Sequence, residues 1–289
     1  MKIKSPVLGF VRYSQIIDFG EKSSRIFDKD YFEYRFDIFT RITLRAFRHQ
    51  TCQNFILTVL HSDRMPEKYK CFFLALEKQN IFLRNVFMPD GHEAFQTACQ
   101  STLELVPDEA QEIVTFRIDN DDAVPVDFIE NLHLCCTKSF VGTVISFPSI
   151  IIIKRVSAEK YMIENRYYPS NSIGLALVTE RGNYRSILEE PQHHLVNDNN
   201  KLLLMPRNKG AVLQTINGEN AINRINRGNA VTLSAEEVYY FLKSRQYSAL
   251  DITVLYPLPE KKERVRQIRK IFDLLLPPIV HTAVRKFRG

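Results

Sequence analysis

The chain predicts an α/β fold: a mostly parallel, doubly wound sheet flanked by helices, with an appended antiparallel element and C-terminal helices. Three observations lead there. Strand-like and helix-like segments alternate through the first half, which is the pattern of strands joined by helical crossovers. The 289 residues, 45% hydrophobic and 25% charged, suffice for a sizeable core. The segment "VGTVISFPSIIIIKR" places two β-branched runs around a Pro-Ser turn, which suggests a hairpin or edge strand added to the sheet.

Taken in order, "PVLGFVRY" (6–13) reads as a strand, "FEYRFDIFTRITLRAFRHQ" (32–50) has apolar residues at helical spacing, and "NFILTVLH" (54–61) returns to strand. "PEKYKCFFLALEKQ" (66–79) opens with the proline that suits a first helical turn, "IFLRNVF" (81–87) is a third strand, and "HEAFQTACQSTLEL" (92–105) is helical. "EIVTFRI" is the fourth strand, followed by a helix over 126–140. From 156 to 233 periodicity fades into polar, Asn-rich loops, and "SAEEVYYFLKSR" (234–245) restarts a helix behind a serine cap. The expected organisation is a main domain over 1–233 with a helical extension, 234–289, packed on it.

Five cysteines, odd in number and without CxxC spacing, point to a reducing compartment and away from disulfide or structural zinc frameworks. No apolar run has the length of a signal or membrane-spanning segment, so a cytoplasmic location is expected. The net charge of +6 suggests an anionic partner. No nucleic-acid motif accompanies it.

The residues that raise a chemical question follow the fourth strand. "RIDNDDAV" sets Asp119, Asp121 and Asp122 around Asn120. Carboxylates this close repel one another, so the segment is either a solvated acidic turn or a cation site. Mg²⁺ and Mn²⁺ are usually held by one or two carboxylates together with substrate phosphate oxygens, and ligands of doubly wound sheets bind beyond the carboxyl ends of the strands.

"RFDIFTRITLRAFRHQT", "SDRMP", "FRIDNDDAV" and "AVLQTINGEN", in that order, resemble the bacterial family described as "putative rhamnosyltransferase", GT-A-type glycosyltransferases with a DxDD motif. The resemblance covers roughly residues 6–225 and implies a GT-A-like (Rossmann-like) fold. It also implies transfer from a dTDP-, UDP- or GDP-sugar, with Mn²⁺ or Mg²⁺ neutralising the diphosphate. Asp121 and Asp122 are then the metal contacts, and Asp119 meets the ribose or a metal-bound water. Arg117 is either a diphosphate partner or an ion-pair partner of the carboxylates. In "EEPQHHLV", His193 and His194 are further metal candidates, His194 preferred because it precedes "LV". Arg12 and Asp63, each at a strand end, are placed to meet base or ribose. This chain departs from the family at Val212 and Ile216, where tryptophan and histidine are common; Asn217, Gly218 and Asn220 remain.

Acceptor activation needs a proton acceptor. Glu180, after a strand-like run in "GLALVTERGN", is chosen over Glu189, Glu190 and Glu219. In the tail, "EKKERVRQIRKIFDLLLPPIV" spaces Val265, Ile268, Ile271, Phe272 and Leu275 helically among basic residues. Such a helix either packs on the domain or lies peripherally on the anionic inner face of a membrane, where a lipid-linked acceptor would be met. The expected function is therefore metal-dependent glycosyl transfer to a glycan or lipid-linked acceptor in bacterial surface polysaccharide synthesis. The alternatives are a nucleotidyltransferase, disfavoured because "VLGFVRYSQ" lacks a glycine-rich, lysine-containing loop, and a non-catalytic carbohydrate or membrane-surface binder.

Overall fold

The computed structural model describes residues 4–16, 26–190, 201–206, 210–217, 225, 229–247 and 249–255. The basic tail expected to be helical lies outside the described residues, as do His193, His194, Gly218, Glu219 and Asn220.

Four apolar strands build the parallel part of a seven-stranded sheet: β1 (Val7–Arg12), β2 (Ile56–Ser62), β3 (Leu83–Met88) and β4 (Glu112–Ile118). Their order is β3-β2-β1-β4, so the chain reverses direction across the sheet between β1 and β4. Carboxyl ends at such a reversal diverge and leave a crevice. Beyond β4 lie β8 (Ala176–Glu180), antiparallel to it, then β5 (Thr143–Ser146) and β9 (Lys201–Leu204).

Both faces of this sheet are covered, which is why β2 is buried along its whole length. One face packs against α1 (Lys29–Ile38), α3 (Glu67–Gln79) and α5 (Phe128–Cys135) through Phe32, Phe36, Phe73 and Phe128. The other packs against α4 (His92–Ser101) through Phe95, Ala98 and Cys99.

The two runs around Phe147-Pro148 do not form a hairpin. β5 lies inside the first sheet, and β6 (Ser149–Arg155) starts a second one, of order β10-β6-β7-β11. The antiparallel partner of β6 is β7 (Lys160–Tyr167), with β10 (Val212–Ile216) and β11 (Val231–Ser234) outside. Proline lacks a ladder donor, so pairing breaks there and the chain changes sheets. Strands β7, β10 and β11 lie where polar loops were expected. Their polar residues, such as Glu164, Arg166, Gln214 and Thr215, mask the apolar alternation that pairing with Ile-rich β6 completes.

Helix α6 (Ala235–Ser244) begins at the expected serine: Ser234 and Glu237 form a reciprocal capping box. Its Val238 and Leu242 pack into the core of the second sheet with Tyr34, Ile38 and Ile42 of the first helical segment. No helix among the described residues is long and apolar enough to cross a membrane.

The helix expected over 32–50 is continuous but changes winding. Between α1 and α2 (Leu44–Arg48), Phe39–Thr43 is π-helical. One extra residue per turn re-aims the side chains that follow, a feature often found at functional sites.

Two buried details support predictions. Gly9 lies in register with Phe116, whose ring crosses β1 to stack on Phe47, and a Cβ on Gly9 would sit 2.2 Å from that ring. Gly9→Ala is expected to cost about 1–3 kcal/mol by overpacking, read by chemical denaturation; an unchanged midpoint would refute the close approach. His61 is fully buried on β2 between Phe73 and Phe87, with Nε2 facing Asn85 Oδ1 at 3.0 Å. Burial holds it neutral by pushing its pKa down to about 3. The unfolded imidazole takes a proton near pH 6.5, so this contribution is complete above about 6.5 and is lost as pH falls toward about 3. Unfolding free energy measured across that window should slope downward with acid, and His61→Gln should flatten the slope.

Candidate active site

At the end of β4 the chain turns through Asp119, Asn120, Asp121 and Asp122, and Ala123 then bridges antiparallel to Leu213 of β10. Exposure falls along the turn: Asp119 is exposed, Asp121 half-buried, and Asp122 only 3% exposed. The second sheet holds this turn. Thr215 N donates to Asp122 Oδ1 at 3.2 Å, the Thr215 hydroxyl to Asp121 O at 2.6 Å, and Asn217 Nδ2 to Asp121 Oδ2 at 2.9 Å. From the helical side, the Thr43 hydroxyl at the end of the π-helical segment donates to Asp122 O at 2.8 Å, and Tyr34 of α1 donates to Asn217 O at 3.2 Å.

Burial raises the pKa of Asp121 to about 6, with the charge of Asp119 adding and Arg35 and Asn217 opposing. Asp122 is raised well above the carboxylate range, again by burial first and then by Asp121 and Asp119. Arg35 reaches over the sheet edge from α1, with Nη2 donating to Tyr13 O at 2.6 Å and to Asn120 Oδ1 at 3.0 Å. Its guanidinium lies 4.8 Å from the centroid of the Tyr13 ring.

Among the described residues, no group of three or more His, Cys, Asp or Glu is assembled to hold a metal ion on protein ligands alone. Two adjacent carboxylates with raised pKa values fit a hard cation whose remaining sites go to phosphate and water.

Arg12, at the exposed end of β1, and Arg117, half-buried on β4, lie beside Asp119 on the same face. Burial lowers the Arg117 pKa, as does Arg12, while Asp119 opposes. Asp119 is the carboxylate whose charge acts on Arg117, which fits either role expected of this arginine. Asp63 follows β2, anchored by its N–H to Met88 O at 2.8 Å, with its carboxylate exposed. Arg12, Asp63, Arg117, Asp119, Asp121 and Asp122 thus share the carboxyl edge of the parallel strands.

Glu180 does not. It is exposed and pairs with Glu112 at the start of β4, because β8 runs antiparallel to that strand. Seven residues of strand separate Glu112 from Asp119, or roughly 23 Å at about 3.3 Å per residue, which removes Glu180 from the site. The strand ahead of Glu180 exists; its direction had no sequence signal.

Sequence reasoning missed Arg35, Tyr34, Thr43 and Thr215, and it noted Asn217 without deciding between a turn and a binding role. The usable signal was the three polar residues, Gln214, Thr215 and Asn217, set among the apolar ones of "VLQTIN". It also missed Asp90, which accepts from Ile16 N at 2.9 Å, the Ser62 hydroxyl at 3.0 Å and Arg64 Nε at 2.7 Å. Asp90 ties the ends of β1, β2 and β3 together beside an open groove of about 660 Å³ between Met88 and the first turns of α4.

A family model described as "Putative rhamnosyl transferase" matches residues 6–229. No curated protein matches the chain. Among solved structures, S. aureus TarS 1–349 aligns at 10% identity and TM-score 0.41, over 72% of this chain and 60% of that one. The same TarS fragment in complex with UDP-GlcNAc aligns at 8% identity and TM-score 0.30, over 52% and 34%. The apo form of mouse xyloside xylosyltransferase 1 gives 13% identity and TM-score 0.26, over 54% of each chain. In each case the chain spans less than two thirds of the other protein's length.

Asn217 stabilises the charged form of Asp121, so Asn217→Ala should move the Asp121 titration above its present midpoint of about 6. Carbon-detected NMR of the metal-free protein reads this directly. An unmoved midpoint would show that the amide does not hold the carboxylate.

Proposed function

Because the chain belongs to the family described as "Putative rhamnosyl transferase" and is a glycosyltransferase, we propose that it uses a nucleoside-diphosphate sugar as donor and that Asp121 and Asp122 carry the Mn²⁺ or Mg²⁺ of that reaction. The observation that supports this is the turn itself: β10 and the π-helical segment hold a half-buried and a buried carboxylate at a sheet-reversal crevice, at an electrostatic cost. When bound, the cation neutralises the diphosphate as it leaves.

The chain's own residues supply the rest. Asp119, exposed at the rim, accepts from a ribose hydroxyl or a metal-bound water. Asp63 faces the base or ribose, and Asp90 keeps the strand ends that form this rim together. Arg35, anchored on Tyr13 O and Asn120, presents a fixed positive charge on the Asp121 side, where a diphosphate would lie. His194 is retained as a further metal contact from the sequence alone. The acceptor proton goes to a group other than Glu180, whose strand end is on the far edge.

The acceptor we propose is a glycan or lipid-linked glycan of a surface polysaccharide. The support is in the charge distribution: residues 256–289 hold nine Lys and Arg against three Asp and Glu, which equals the net +6 of the whole chain. A tail of that composition is attracted to an anionic bilayer.

Calorimetric titration of UDP, dTDP and GDP, each with Mn²⁺ and with a chelator, tests the proposal. One nucleotide should bind only with metal, lose affinity as pH drops through about 6, and fail to bind to Asp121→Ala or Asp122→Ala proteins that remain folded. Metal-independent binding, or none, would overturn it.

A further inference from the structure

The two faces of the sheet present different charges to the crevice. Side chains alternate along a strand, and the register pairs Phe10 with Arg117 and Val11 with Ile118. Phe10, Arg12, Arg117 and Asp119 therefore share the face covered by α4, where Phe10 packs with Phe95 and Cys99. The aspartate turn swings toward the opposite face, where Ala123 packs with Tyr34 and Ile38.

Electrostatics follow that division. Arg35 acts on Asp121 and Arg12 on Arg117, while Asp119 lies between and acts on both Asp121 and Arg117. On the same face, Cys99 is acted on by both Arg12 and Glu189. Glu189 is already engaged: its oxygens accept from Ser186 N at 2.6 Å and from Gln100 Nε2 at 2.9 and 3.1 Å. Neither guanidinium makes a hydrogen bond or ion pair among the described residues. Two guanidinium forks on one face of adjacent strands, one exposed and one half-buried, suit an oxyanion that bridges them.

We propose that Arg12 and Arg117 form an oxyanion subsite separate from the metal-binding turn, which receives a carboxylate or phosphate group carried by the transferred sugar or by the acceptor. The subsite rests on the glycosyl-transfer reading for its substrate, but not for its detection. It makes the enzyme selective for a charged sugar or a charged acceptor, with Asp119 at the border between the metal-binding turn and the arginines.

The test is NMR of the arginine Nε–H signals in the full chain with a chelator present, titrating glucuronate, glucose 6-phosphate and neutral glucose. Either anion should shift the Arg12 and Arg117 signals while glucose does not, and Arg12→Gln or Arg117→Gln should weaken that binding about tenfold or more. Arg12→Gln, at an exposed position, should melt as the wild type does. If Arg117→Gln does not fold, the exposed Arg12→Gln carries the test. Adding the nucleotide sugar that binds with Mn²⁺ distinguishes the sources: expulsion of the anion assigns the subsite to the transferred sugar, and simultaneous binding assigns it to the acceptor.

No shift, or an equal shift with glucose, would overturn the subsite. Unaltered anion binding in both variants would do the same, as would an equal loss of metal-dependent nucleotide binding, since the arginines would then serve the diphosphate. Metal-dependent nucleotide binding that survives in the arginine variants leaves the transferase reading standing even if the subsite fails. Anion binding through the arginines without any nucleotide binding leaves the subsite and removes that reading.

Discussion

The antiparallel bridge between Ala123 and Leu213 is the constraint on which the site depends. It joins the end of a strand in the first sheet to a strand in the second, so two sheets with separate hydrogen-bond ladders share one turn. Without it, Thr215 and Asn217 would have no reason to lie against Asp121 and Asp122. Three acidic residues in a free turn would remain in water, because a carboxylate withdrawn from solvent without partners is strongly disfavoured. With it, the turn is locked and the carboxylates remain close although their repulsion and burial both oppose ionisation.

The helical side completes the lock through an irregularity. A regular α-helix from 29 to 48 would present a different set of side chains to the turn. The π-helical segment delivers Thr43 to Asp122 O while leaving Phe39 and Phe47 in the core beneath. Arg41, from the same segment, bridges Asp37 at 2.8 Å and Asp251 at 2.9 Å, which connects this helix to the segment after α6. The local geometry of the turn is thus tied to packing on three sides, and pre-organisation of this kind lets a charged site act without rearranging during a reaction.

The crevice between β1 and β4 then receives positive charge from both sides. Arg35 comes over the rim from α1, and Arg12 and Arg117 rise from the α4 face. Carboxylates and guanidiniums are thus gathered at one crevice, the combination that the metal–diphosphate complex proposed above calls for.

Much of this was legible from residue order. The α/β class, the four parallel strands, the helices between them, the serine cap of α6 and the position of Asp119, Asp121 and Asp122 at a strand end all follow from local rules: periodicity, turn chemistry and capping act over a few residues. What tertiary structure decided lies at long range. The fate of the Phe147-Pro148 junction, the strand character of "KYMIENRY" and "VLQTI", and the far-edge position of Glu180 each depend on a partner strand distant in sequence and on the direction in which it runs. Hydrogen bonding along a ladder satisfies polar-rich segments that periodicity reads as loops. The aspartates were visible because like charges in sequence are conspicuous, whereas Thr215, Asn217, Tyr34 and Thr43 became site residues only when two sheets and a π-helical turn converged on them.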